Sequence, residues 1–115
     1  MTPTGQLERA VLGVLWSATE PITAKDILGS LAERDLAITT VLTVLERLGR
    51  KRLVTRERDG RAHRYAAAIS REEYVADLML EALGQAPDRD AALTRFLGRV
   101  SNDDTDHLRR ELGAG

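Results

Sequence analysis

Leu7, Val11, Val14 and Leu15 stand at helical spacing and predict a first helix over residues 5–18. Glu20-Pro21 ends it, because the residue before a proline is pushed out of the helical region. The run from Ile22 to Ile27 then reads as a second helix start. Thr23 can cap, Asp26 lies three residues on at the positive helix end, and Ile22 can staple onto Ile27. Ile27, Leu28 and Leu31 give that helix a short apolar face. A turn around Arg34-Asp35 leads into a third helix, about residues 38–51, with two distinct faces. Ile38, Val41, Val44, Leu45 and Leu48 form a core-seeking stripe, while Thr39, Thr43, Glu46, Arg47 and Arg50 form a polar one with Leu42 beside it.

The pattern then changes period. Leu53–Arg58 and Arg61–Tyr65 flank Asp59-Gly60, a two-residue hairpin signal. With Asp59-Gly60 as the loop, Arg58 stands opposite Arg61, Arg56 opposite His63 and Val54 opposite Tyr65, all on one face. Like charges set across a hairpin destabilise it, so this register implies an anionic partner. Beyond the hairpin, Ser70-Arg71-Glu72-Glu73 is a capping box opening a helix with Val75, Leu78, Met79, Ala82 and Leu83 on its apolar side. Gly84 and Pro87 break it. A further helix over about 88–99 carries Ala92, Leu93, Phe96, Leu97 and Val100, and Ser101 caps a last short one with Leu108 and Leu112. The predicted class is mainly α with a small β-hairpin.

Charge divides this string of elements in two. Residues 1–67 hold eleven Arg/Lys and eight Asp/Glu, a net of +3, and residues 68–115 hold six and ten, a net of -4. Eight of the cations lie between Arg47 and Arg64, against two acids. The expected organisation is a basic head, residues 1–68, that can approach a polyanion, and an acidic tail, residues 69–115, with another task. A length of 115 residues fits one small domain plus an extension. With 3% aromatic residues the core must be aliphatic, and Trp16, Tyr65 and Phe96 are expected in core or interface positions. There is no cysteine and only His63 and His107 as histidines, which excludes disulfides and thiolate metal sites and argues against any protein-only metal site or cofactor. The acidic pairs Glu72-Glu73 and Asp103-Asp104 sit at helix starts, where the helix dipole accounts for them, and no nucleophile–base arrangement points to an enzyme. No signal peptide and no span of about 18 apolar residues is read, so the expected location is the cytoplasm without membrane insertion.

A helix of this kind fits the major groove of B-DNA, and a basic hairpin beside it is the wing of a winged helix-turn-helix. The candidate DNA contacts are Thr39, Thr40, Leu42, Thr43, Arg47, Arg50 and Lys51 on the helix and Arg56, Arg58, Arg61 and His63 on the wing, with Arg64 nearby. Threonine offers a hydroxyl to phosphate or base and a methyl to thymine; the arginines neutralise phosphates. The plain competing account is a solvated helix face and a charge-protected edge hairpin. The rival function is a winged-helix protein-interaction module whose basic patch binds an acidic protein. Three amphipathic tail segments cannot bury their apolar sides alone; they either pack on the head or pair with a second copy. The second account, favoured by the tail's acidity, makes Val75, Leu78, Met79, Leu83, Leu93, Phe96, Leu97 and Leu108 the candidate dimerisation residues.

LERAVLGVLW, TTVLTVLERLGRKRLV and RERDGRAHRY resemble the penicillinase-repressor family, over almost the whole chain. The resemblance implies a bacterial repressor with an N-terminal winged helix and a C-terminal helical dimerisation region. Such a repressor is expected on palindromic operators upstream of β-lactamase, related resistance or copper-homeostasis genes. Thr39, Thr40, Thr43 and Arg47 match the family's recognition helix, and Arg58, Arg61 and His63 its wing. In antibiotic-responsive members a membrane sensor protease pathway leads to cleavage in the dimerisation region at an Asn-Phe bond. The matching bond here is Arg95-Phe96, with arginine in place of asparagine. Copper-responsive members carry a cysteine motif that this chain lacks.

Overall fold

The computed structural model of the chain describes residues 3–113. Helices α1 (Pro3–Ser17), α2 (Ala24–Ser30) and α3 (Ile38–Arg50) are followed by strands β2 (Val54–Asp59) and β3 (Ala62–Ala67) and by helices α4 (Arg71–Leu83), α5 (Arg89–Leu97) and α6 (Asn102–Gly113). A two-residue strand β1 (Ile22–Thr23) joins them in an antiparallel sheet of order β1-β3-β2. The described residues form two compact units divided between Tyr74 and Val75. The division falls after the first turn of α4, beyond the 68/69 boundary suggested by charge, because Arg71 and Tyr74 pack on Trp16 of α1.

In the first unit, three helices and the sheet enclose an aliphatic core in which Val11, Leu12, Ile27, Val41, Leu45 and Leu48 are fully buried. The stripe expected on α3 is the stripe that is buried, with Ile38 half-buried at its start. On α1 the face is rotated. Leu12 is fully buried while Leu7 and Val14 are half-buried, since both α3 and β3 pack on this helix. Thr23 serves two elements: it pairs with Arg64 in the sheet and caps α2. Its Oγ1 accepts from the Asp26 amide at 3.2 Å, and its own amide donates to Asp26 Oδ2 at 3.1 Å. That backbone bond, helped by the Thr23 hydroxyl and the nearby Arg64 charge, holds Asp26 below the usual carboxylate range.

Helix α3 stops in a Schellman turn. The Leu53 amide donates to Leu48 O at 2.9 Å and the Arg52 amide to Gly49 O at 3.0 Å, with Arg52 in the left-handed region at φ 63°. Glycine takes that conformation without cost. Arg52→Gly is therefore expected to raise unfolding stability by about 1 kcal/mol, seen as a higher urea midpoint with an unchanged slope.

The hairpin register differs from the expected one. Gly60 and Arg61 form the loop, and Asp59 is the last residue of β2, opposite Ala62. Gly60 has φ +63° at the first loop position, where a II′-type hairpin turn places glycine. Arg58 thus faces His63, Arg56 faces Tyr65, Val54 faces Ala67, and Glu57 faces Arg64. The expected Arg58–Arg61 opposition does not exist, and the argument for an anionic partner from cross-strand repulsion falls with it.

The second unit contains the rest of α4 with α5 and α6. Side chains open all three helices: Ser70 Oγ accepts from the Glu73 amide, Asp88 Oδ1 from the Ala91 amide and Ser101 Oγ from the Asp104 amide, at 3.0 to 3.1 Å. No described residue from 75 to 113 is buried.

Candidate nucleic-acid interface

The polar face of α3 turns to solvent because the opposite face is wholly engaged in the core. Thr39, Leu42, Thr43, Glu46 and Arg50 are exposed, and Thr40 and Arg47 are half-buried on one flank. Thr43 donates its hydroxyl to Thr39 O at 2.9 Å, which leaves the oxygen's lone pairs outward and ties the hydrogen to the helix. Arg50 stands 4.0 Å from Glu46 with both side chains largely in solvent, a pair too exposed to hold the guanidinium back from a phosphate. Ala37 at the start of α3 has no side-chain acceptor, so the first amides of the helix are left for solvent or an anion.

Lys51 differs from the other helix candidates. Its Nζ donates to both carboxylate oxygens of Glu8, at 2.9 and 3.0 Å, and the Glu8 side chain is only 6% exposed. The ammonium expected to meet DNA is paired with a buried carboxylate 43 residues away in sequence, a pairing that no local pattern signals. Glu8 is thus a residue that sequence reasoning missed.

On the wing, Arg56, Arg58 and Arg61 are exposed. Arg58 Nε donates to Gly60 O at 3.1 Å, which bends the side chain over the loop. Arg64 donates to Asp59 Oδ2 at 2.7 Å, and this bond raises its already high pKa. It is held inside the wing. His63 is half-buried, with Nδ1 shut from solvent and lacking a hydrogen-bond partner among the described residues. Its contact with any ligand has to come from the other ring nitrogen.

In the tail, Val75, Met79, Leu93, Phe96 and Leu97 are between 41% and 56% exposed, whereas Leu78, Leu83 and Leu108 are half-buried. Leu80 and Leu112, 60% and 83% exposed, are further apolar residues outside the expected set. Leu80 falls off the stripe that runs through Val75, Leu78 and Met79, which is why periodicity passed over it. It lines, with Met79, Leu83, Leu93 and Phe96, an open apolar groove of about 590 Å³ between α4 and α5. Arg95 and Phe96 lie in the last turn of α5. Among the described residues no group of three His, Cys, Asp or Glu is placed to hold a metal ion, and no helix is long and apolar enough to cross a membrane.

Three helices, a three-stranded sheet, an outward threonine–arginine helix face and an arginine-tipped hairpin define a winged-helix DNA-binding regulator. The model of the penicillinase repressor family matches residues 4–114, and the chain belongs to that family. It is 54% identical over 116 residues, covering 97% of this chain and 84% of the relative, to the transcriptional regulator BlaI of Mycobacterium tuberculosis, in both strain CDC 1551 / Oshkosh and strain H37Rv. Among solved structures, MepR, a transcription regulator of the Staphylococcus aureus multidrug efflux pump MepA, matches with a TM-score of 0.51 at 21% identity, over 93% of this chain and 74% of that one. An S. aureus MepR–DNA complex matches with a TM-score of 0.52 at 23% identity, over 88% and 82%. At these identities the structural matches speak for the fold. The relatives are named as transcriptional regulators, not enzymes.

Proposed function

We propose that this protein is a cytoplasmic, homodimeric repressor that binds a palindromic operator and controls β-lactam-resistance or cell-envelope genes in the manner of BlaI. The observation that carries the DNA half is the outward face of α3, Thr39, Thr43 and Arg50 flanked by Thr40, Leu42 and Arg47, with Arg56, Arg58 and Arg61 on the wing. Helix contacts in the major groove read bases, and wing arginines neutralise phosphates. The dimer half is supported by a tail of three helices without one buried residue between 75 and 113. A second copy of the same acidic tail covers those apolar side chains and brings two heads to two half-sites.

Selection from random duplex DNA tests the reading: a palindrome should be enriched. No preference for such a site over random DNA at moderate salt would overturn it. Arg58→Ala with Arg61→Ala should weaken binding to all sequences alike and lower the salt slope by up to about 1.8 per head, roughly 0.9 for each phosphate that is no longer neutralised. Unchanged operator binding by this variant would remove the wing from the interface and favour an acidic protein partner for the patch.

Relief by proteolysis at Arg95–Phe96 belongs to the same reading. Helix α5 has nine residues and none of them is buried within its own chain, so a protease can take it in extended form at little cost when the two subunits part. Mass spectrometry of the chain from cells in which the regulated genes are fully induced should find the shortened head. An intact chain under full induction would rule the cut out.

A further inference from the structure

Trp16, the sole tryptophan, sits near the end of α1 and does three things at once. Its Nε1 donates to Ile69 O at 2.9 Å, across 53 residues of sequence. The guanidinium of Arg71 lies over its ring, 4.9 Å from the centroid. The ring of Tyr74 meets it edge-on, with centroids 5.7 Å apart and planes at 60°. A hydrogen bond, a cation–π contact and an aromatic pair therefore converge on the segment from Ile69 to Tyr74, the last residue before α4 leaves the first compact unit. Tyr74 is buried, and no residue of α4 after it is. The three contacts with Trp16 hold the first turn of α4 to α1.

We propose that Trp16 is a positioning residue for operator recognition: with Arg71 and Tyr74 it forms the joint that transmits the pairing of two tails into a defined spacing of two recognition helices. This rests on the dimeric reading above. A palindromic site is read by two helices at a separation set by the duplex. Each added base pair turns one half-site by roughly 35° and shifts it by about 3.4 Å. A loose joint lets the heads follow such a change, whereas a rigid one makes the protein reject it. The cation–π pair and the indole hydrogen bond are what rigid coupling needs at this point, because the polypeptide from 68 to 70 between β3 and α4 has no regular structure of its own.

The test uses the full chain, duplexes carrying the selected palindrome, the same two half-sites with one or two base pairs inserted between them, and a duplex with a single half-site. Trp16→Phe removes the N–H and keeps a ring; Arg71→Gln removes the cation and leaves the indole bond in place. Wild-type affinity is expected to fall on the order of tenfold with two inserted base pairs, and each variant should reduce that discrimination to less than about threefold. Affinity for the single half-site should be unchanged, since neither residue lies on the DNA face. A purely structural role would lower the unfolding temperature and half-site affinity while leaving the spacing preference intact. Full spacing preference retained in both variants overturns the proposal alone. Equal wild-type affinity for every spacing shows a loose joint and overturns the proposal alone, whereas equal wild-type affinity for the palindrome and the single half-site overturns the dimeric reading, and the proposal with it.

Discussion

Leu80→Asp is expected to leave the protein monomeric at micromolar concentration and to weaken operator binding by on the order of 100-fold. In the lone chain this substitution removes almost nothing, because Leu80 is already 60% exposed and stands outside the core of the first unit. The head should unfold as before. In a dimer the same position lies in the apolar groove with Met79, Leu83, Leu93 and Phe96. A carboxylate sealed there without a partner costs several kcal/mol, enough to separate two subunits held by a modest seam. Leu97→Asp, on α5, should act in the same direction. Sedimentation velocity and operator titration read the two effects separately. Monomers that bind a palindrome as tightly as the wild type would show that pairing and recognition are not coupled, and an undisturbed dimer would put the seam elsewhere.

Leu80 also shows where sequence patterning stops. Helix α3 was legible because one set of neighbours decides its faces: Val41, Val44, Leu45 and Leu48 meet a core and Thr39 and Thr43 do not. No described residue of the tail after Tyr74 is buried, so the apolar stripes of its helices meet no core that would decide their faces. Local capping chemistry was equally legible. Thr23 with Asp26 and Ser70 with Glu73 make the bonds that their spacing implies.

The hairpin was legible as a hairpin but not in register. Glycine can occupy either loop position of a two-residue turn, and Asp-Gly by itself favours placing it second. Three non-local features accompany the register with Gly60 first. Tyr65 pairs with Ile22 across β1, Glu57 faces Arg64, and Asp59 holds Arg64 at 2.7 Å. The two-residue strand β1 carries no alternation from which it could be read, and it exists only because β3 offers it an edge. The consequence for function is specific: Arg64 is engaged within the wing, while Arg56, Arg58 and Arg61 remain exposed.

Lys51→Met is expected to destabilise the head by about 2 kcal/mol without changing the salt dependence of DNA binding. The Glu8 carboxylate has a 6% exposed side chain and receives both of its close bonds from Lys51. Removing the ammonium leaves an anion buried beside α3. The full cost of breaking a buried pair, roughly 3–5 kcal/mol, is reduced here because Lys51 is itself 52% exposed and water can reach the vacated place. Replacing both residues together, Glu8→Leu with Lys51→Met, removes the orphaned charge and should recover most of the loss, so the coupling in a double-mutant cycle should exceed about 1 kcal/mol. DNA binding separates this role from a phosphate contact. A lysine on the backbone contributes about 0.9 to the slope of affinity against salt, and a lysine neutralised by Glu8 contributes little. A slope lowered by that amount in Lys51→Met, with stability unchanged, would return Lys51 to the DNA face. An unchanged slope with a lower denaturation midpoint would assign it to holding the end of the recognition helix against α1.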